Sequence, residues 1–155
     1  MYALGIGFQK DPMNASHFNF TYENADEFQS FPTIAVVMGH RGDLADLKVP
    51  GVPDFNPLMI LHGEEKVEMY SPIEQDTTVV VHETIVDLQD KKKATVMVIQ
   101  ADIIQKDTNE LKAKLYTTLF IRGIGGFGGH KGFYKNDIPS KFEPSHEVEF
   151  KTEPN

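Results

Sequence analysis

The chain has 155 residues and a mass of 17.5 kDa, 40% hydrophobic and 25% charged, enough for one domain with a real core and too little for two ordinary ones. Its 15 basic and 23 acidic residues give a formal charge of −8, which argues against a non-specific nucleic-acid or anionic-membrane partner, since both require a basic surface. With no cysteine, a disulfide framework, a thiolate zinc site and a cysteine nucleophile are excluded.

Met1 to Gly7 lacks the charged start of a signal peptide, and no apolar run approaches the about 18 residues of a spanning helix. After a small N-terminal helical piece, the alternation of Phe18, Phe20 and Tyr22 predicts a short first strand. Asn24 or Asp26 is placed to cap a helix through Glu27, Phe28 and Phe31, which Pro32 makes short, kinked or restarted before Ile34 to Met38. Pro-containing turns between Pro50 and Pro57 lead into a strand from about Leu58 to Tyr70.

A β-branched run from Thr77 to Leu88, then Met97, Ile99, Ala101 and Ile103 in alternation, predict two more strands. The clearest is the last: Leu111, Ala113, Leu115, Thr117, Leu119 and Ile121 fall on one face, with Lys112, Lys114, Tyr116, Thr118, Phe120 and Arg122 on the other. The turns at Ser71-Pro72, Gln89 to Lys93 and Lys106 to Asn109 suit hairpins, so the four strands are expected as an antiparallel meander. The architecture read from this order is α+β, with an antiparallel sheet wrapped around or against one helix. From Asn136 the chain is polar and Pro-containing and reads as a linker.

The Gly-rich stretch Gly123 to Gly132 invites a phosphate-loop reading. It lacks the Gly-Lys-Ser/Thr ending and a following helix, and an excursion after the last strand anchored by Phe127 fits better. Asp54 in Asp54-Phe55-Asn56-Pro57-Leu58 and the later His62 offer a carboxylate and an imidazole for acid–base work, although Asn-Pro is also a common turn initiator. At Gly63 a ligand group is able to approach the backbone. Glu64, Glu65 and Glu68 form a metal cluster only if they converge, and strand alternation separates Glu65 from the other two. Lys91-Lys92-Lys93 is the densest positive charge in an acidic chain, a solvated turn or a landing point for a phosphate-bearing ligand.

Several blocks taken in order carry a resemblance: Tyr2-Ala3-Leu4-Gly5-Ile6-Gly7, Phe31-Pro32-Thr33, Phe55 to Glu65 with its His62-Gly63-Glu64, and Leu119 to Gly129 with Gly125-Gly126-Phe127-Gly128-Gly129. Over nearly the whole chain they resemble the N-terminal half of eukaryotic 2-enoyl-CoA hydratase 2, the MaoC-like dehydratase unit of peroxisomal multifunctional enzyme type 2. The resemblance implies a hot-dog fold, a sheet wrapped around a helix, over residues 1–135. It also implies that residues 136–155 lead toward a C-terminal hot-dog half absent here.

The implied reaction is the reversible hydration of trans-2-enoyl-CoA to (3R)-3-hydroxyacyl-CoA in peroxisomal β-oxidation, with the CoA thioester as substrate and no cofactor or metal. In that family the catalytic Asp and His lie in the C-terminal half, in a Gly-Asp-x-Asn-Pro-apolar-His motif. Here Pro53 replaces its Gly and Met59 its His, and a thioether cannot transfer a proton. This half is therefore expected to be non-catalytic, binding acyl-CoA through His62, Gly63 and Lys91 and joining its partner half, with a homodimer as the expected assembly. The competing readings are a self-sufficient homodimeric hot-dog hydratase or thioesterase using Asp54 and His62, and a lipid-binding or scaffold module.

Overall fold

In the computed structural model, which describes residues 1–40, 47–132, 143–149 and 151, four long strands form a single antiparallel sheet. They are β1 (Ile60–Met69), β2 (Val79–Asp90), β3 (Ala94–Gln105) and β4 (Leu111–Arg122). The period-two pattern of β4 decides where the core lies. Ala113, Leu115, Thr117, Leu119 and Ile121 are all buried on the face against which the short helix α3 (Ile34–Gly39) packs. One buried cluster joins Ala35 of α3 to Ile73, Ala101, Ile103, Ala113 and Leu115. A second joins Met97, Ile99, Leu119 and Ile121, with Leu47, Val49 and Phe55 packed against it. The result is the expected α+β hot-dog arrangement, a curved sheet against a helix.

The strand order corrects the expected meander. It is β1-β4-β3-β2, so only β2, β3 and β4 follow one another as hairpins, and β1 lies beside β4. Consecutive strands usually pair, but the chain leaving β1 stays zipped to β4: the backbone N–H groups of Tyr70 and Ser71 both donate to the carbonyl of Lys112. Ile73 is then buried against α3 and the far ends of β3 and β4, and the connection crosses to the opposite edge before β2 begins.

Lys112, expected on the solvated face, is 1% exposed. Its Nζ donates to Glu74 Oε1 at 3.0 Å and Glu110 Oε2 at 2.9 Å. Burial pushes the ammonium down, but the bonds to Glu110 and Glu74 outweigh it and leave the group above its ordinary value. The same connection thus carries the carboxylate that makes burial of this lysine tolerable.

The expected first strand is a helix. After the opening helix α1 (Tyr2–Gly5), residues Phe18–Thr21 form α2, entered through a 3-10 turn at Ala15–His17 capped by Asn14, whose side chain accepts from the Ser16 N–H. The aromatic spacing that imitates a strand serves a helical arrangement: Phe18 and Tyr22, four apart, meet edge to face at 6.4 Å. Phe20 turns the other way, onto Phe8 and Phe31. The helix expected from Asn24 or Asp26 gives way to turns, and the restart after Pro32 is the helix that forms, as α3. The linker expected over 136–155 lies mostly outside the described residues, and 143–149 is exposed chain without regular structure.

Gly39, at the end of α3, sets how closely helix and sheet approach. A Cβ there would lie 2.9 Å from Leu115 Cδ1 and 3.4 Å from Ile103 Cδ1, and both of those side chains are fully buried. Alanine, normally the better helix former, is therefore expected to overpack this contact. Urea unfolding of Gly39→Ala should show a loss of about 1–3 kcal/mol; equal or greater stability would mean that α3 is free to move away from the sheet.

Candidate functional site

The ligand residues expected from the sequence divide between the two faces of the sheet. On the face away from α3, Gly63, Glu64, Gln89, Lys91, Val96, Val98, Thr118 and Phe120 line an open groove of about 430 Å³. Gly63 and Lys91 are thus brought to one groove although they come from opposite ends of the strand order. Val96 and Val98 of β3 and Phe120 of β4 supply its apolar floor. A Cβ on Gly63 would stand 3.2 Å from the Thr118 carbonyl oxygen, so a side chain there would crowd both β4 and the groove.

His62 is not in that groove. Between His62 and Glu64 the pairing of β1 with β4 shifts register, a bulge centred on Gly63. Before the bulge Ile60 and His62 face the buried Ile121 and Leu119, and after it Glu65 and Val67 face Thr117 and Leu115. His62 and Glu65 therefore share the helix-side face, which strict alternation would have denied them. Their side chains meet, His62 Nε2 to Glu65 Oε2 at 3.0 Å, and Thr117 Oγ1 donates to Glu65 Oε1 at 3.2 Å. The ring of His40, just past α3, stands edge-on to that of His62 at 6.4 Å between centroids. Sequence reasoning weighed Glu65 only as a metal ligand and missed it as the partner of His62, because an unbroken strand would separate the two; Gly63 within a strand was the available signal.

Glu64 and Glu68 lie on the face opposite Glu65, so the three carboxylates do not converge. Glu68 is engaged by Lys66 Nζ at 2.6 Å and by the Tyr70 hydroxyl at 2.9 Å, which hold its carboxyl below the ordinary value. Asp54 is exposed and makes no hydrogen bond or ion pair with His62 among the described residues. Asn56 instead acts as the turn initiator, its side chain accepting from the Leu58 N–H at 3.0 Å to start a 3-10 turn at Pro57–Met59.

The residue that organises the groove's cationic end is one the sequence reading passed over. Asp90, 6% exposed at the end of β2, accepts from the backbone N–H groups of Lys92 at 2.7 Å, Gly126 at 2.8 Å and Gly128 at 2.9 Å. Its own N–H donates to the His130 carbonyl at 2.8 Å. One carboxylate thus ties the β2–β3 turn to the glycine-rich loop after β4. Amides that would have cradled a phosphate are already turned onto a protein anion, a physical reason to reject the phosphate-loop reading.

Phe127, the expected anchor of this excursion, is half-buried and packs over Gly129: a Cβ there would be 2.7 Å from its ring and 3.3 Å from Asp90 Cβ. Gly126 and Gly128 have φ of 75° and 88°, a backbone that presents both amides inward at little cost only for glycine. Lys91 follows directly. Its N–H bonds the Ala94 carbonyl and its Nζ donates to the carbonyl of Lys131, so the cation is held by backbone at the rim of the groove.

The N–H groups of Gly126 and Lys92, with those of Gly128 and Gly129, hold the Asp90 carboxyl below its ordinary value against the opposing effect of burial. A depressed folded value stabilises the fold in full above the ordinary carboxylate range, and the contribution is lost as pH falls through the folded value. Amide exchange at Gly126 and Gly128 should therefore be slow at neutral pH. Corrected for intrinsic rates, it should accelerate on acidification below the ordinary Asp range, and should be fast at every pH in Asp90→Ala. Protection that survives the substitution would show that something else holds the loop.

Three sets of relatives agree with this architecture. The family model for the MFE-2 hydratase 2 N-terminal domain matches residues 1–123. A probable enoyl-CoA hydratase 2 from Dictyostelium discoideum is 33% identical over 85% of this chain and 44% of its own length. The peroxisomal multifunctional enzyme type 2 of Mus musculus is 33% identical over 84% of this chain and 17% of its own. The crystal structure of a MaoC-like dehydratase from Phytophthora capsici superposes with a TM-score of 0.69 and 31% identity, over 96% of this chain and 49% of that one. The chain thus spans less than half the length of each of these relatives. Several relatives, the Arabidopsis thaliana enoyl-CoA hydratase 2 among them, are named peroxisomal. With its sheet, its helix and its His-Gly-Glu and glycine-rich blocks all in place, this chain belongs to the MFE-2 hydratase 2 N-terminal domain family.

Proposed function

We propose that this chain is the substrate-binding, non-catalytic half of a (3R)-specific 2-enoyl-CoA hydratase, which interconverts trans-2-enoyl-CoA and (3R)-3-hydroxyacyl-CoA in peroxisomal fatty-acid oxidation. The observation that carries the proposal is the groove joining Lys91 to Gly63. It runs across the sheet from the β2–β3 turn to the β1 edge, three strand spacings or roughly 14 Å at about 4.8 Å each. That suits an elongated ligand with an anionic end. Its volume of about 430 Å³ falls within the range of ligand pockets.

On this reading Lys91 meets the phosphate-bearing part of CoA with a charge-assisted hydrogen bond, the apolar floor takes the arm, and the backbone at Gly63 lets the thioester end pass close to the strand. His62 stands behind that point on the other face of an edge strand, where it hydrogen-bonds the ligand rather than activating water. The acid and base come from a C-terminal hot-dog half. Support for that division lies in Met59, whose thioether stands where the family motif has its His, and in Asp54, which is exposed and unpaired with His62. Association of two such units into a homodimer belongs to the same proposal.

Incubated alone with trans-2-enoyl-CoA, the chain should give no hydration. Robust turnover that vanishes in His62→Ala or Asp54→Ala would overturn the non-catalytic assignment in favour of a self-sufficient enzyme. Supplied with a C-terminal half, a Lys91→Gln variant should bind acyl-CoA about ten-fold more weakly, the size of a lost bond to a charged group; unchanged affinity would remove Lys91 from the site.

A further inference from the structure

We infer that Glu65 is a positioning residue for His62, fixing the imidazole in the tautomer that carries its proton on Nε2 and presents Nδ1 as a hydrogen-bond acceptor to an N–H or O–H group of the thioester ligand. The inference rests on the reading above only for the ligand; the positioning itself stands on geometry. The bulge at Gly63 puts residues 62 and 65 on one face, and their side chains meet at 3.0 Å.

Glu65 is the less exposed of the two, 16% against 53% for the His62 side chain, and its second oxygen is engaged by Thr117 from the neighbouring strand. A carboxylate offers only acceptors, so a neutral His62 must donate through Nε2, and its lone pair is then on Nδ1. Among the described residues Nδ1 makes no hydrogen bond of its own. His40 approaches the ring edge-on, and Glu83 of β2 lines the same helix-side hollow as His40 and Thr117. The imidazole is thereby oriented from one side and open on the other, the arrangement by which an outer-shell carboxylate sets the direction of a working histidine.

What distinguishes positioning from mere stability is the tautomer itself. The ¹⁵N resonances of His62 in the intact chain, recorded on their high-pH plateau, should show Nε2 as the protonated nitrogen and Nδ1 as the bare one. Glu65→Gln, which retains an acceptor oxygen, should keep this pattern. Glu65→Leu should move both resonances toward the average of a tautomer mixture, with the amide fingerprint of the sheet intact. A wild-type His62 protonated on Nδ1 would overturn the inference without any variant, as would a Glu65→Leu spectrum unchanged at His62.

Saturation with a 3-hydroxyacyl-CoA then addresses the ligand. A shift of the wild-type Nδ1 resonance supports the acceptor role. The same shift with trans-2-enoyl-CoA assigns the donor to the pantetheine amides, and its loss there assigns it to the 3-hydroxyl. The expected tautomer with no shift for either ligand would overturn the ligand contact and leave the positioning intact. A shift in a chain with the wrong tautomer would do the reverse.

Discussion

Everything at the cationic end of the molecule depends on one carboxylate. Asp90 ends β2 at the point where the chain must turn, and its two oxygens accept from amides of both the β2–β3 turn and the loop after β4. Without it, the inward-pointing N–H groups of Lys92, Gly126 and Gly128 would be left for water, although the Gly123 N–H would still reach the Lys93 carbonyl and Lys91 Nζ that of Lys131. With it, the two become one unit, and the glycines of that loop acquire a reason. A Cβ at Gly125 would come within 2.6 Å of the Lys92 carbonyl group, and positive φ at Gly126 and Gly128 aims their amides at the acid. The lysine beside Asp90 inherits that rigidity, which is how a chain of net charge −8 holds a cation at a fixed place beside an apolar floor.

The second constraint is the bulge in β1. A strand of period two assigns each residue to a face once its neighbours are placed, and a single extra residue reverses the assignment for all that follow. Here the reversal falls at Gly63, so His62 and Glu65 both point to the helix side while Glu64 stays with the outer groove. An edge strand is where this device is easiest to accommodate, because only one ladder has to absorb it. The polar group it creates sits between the two buried clusters, next to Thr117, the polar member of an otherwise apolar row on β4.

These features explain what was legible in the sequence and what was not. The span of β4 was readable because alternation over twelve residues leaves one solution. The strand from 60 to 69 was placed to within two residues because its β-branched and turn signals are local. The neighbour of β1 was not readable, since strand order is decided by the connection through Ile73 and Lys112 and not by any strand's own pattern. Helix α2 was misread because four residues are too few to separate a period of 3.6 from a period of two when aromatic residues meet both demands. Lys112 looked solvated for a related reason: its partners Glu74 and Glu110 lie in the turns before β2 and β4, and only the fold brings them over its ammonium. Asp90 as a functional group and Glu65 as the partner of His62 went unnoticed because they act through residues distant in sequence or through a broken register, whereas the glycine-rich block was conspicuous in composition alone.

The placement of these groups bears on why such a sheet would serve as one half of a larger site. Its helix-side face is taken up largely by two aliphatic clusters, between which Glu65 is engaged by His62 and Thr117. Its outer face carries a groove floored by Val96, Val98 and Phe120, beside which His130 Nε2 meets Asp87 Oδ1 at 2.7 Å, and Asp87 in turn accepts from Gln89 of the groove wall. At the β1 edge the bulge sets His62, on the helix side, directly beside Gly63 of the outer groove. On the proposed reading, such a chain would hold a long, anion-tailed molecule in place and present one oriented imidazole to it. Proton transfer at both ends of a water molecule requires a second acid or base on the far side of the substrate, and on the proposed reading the C-terminal half supplies it.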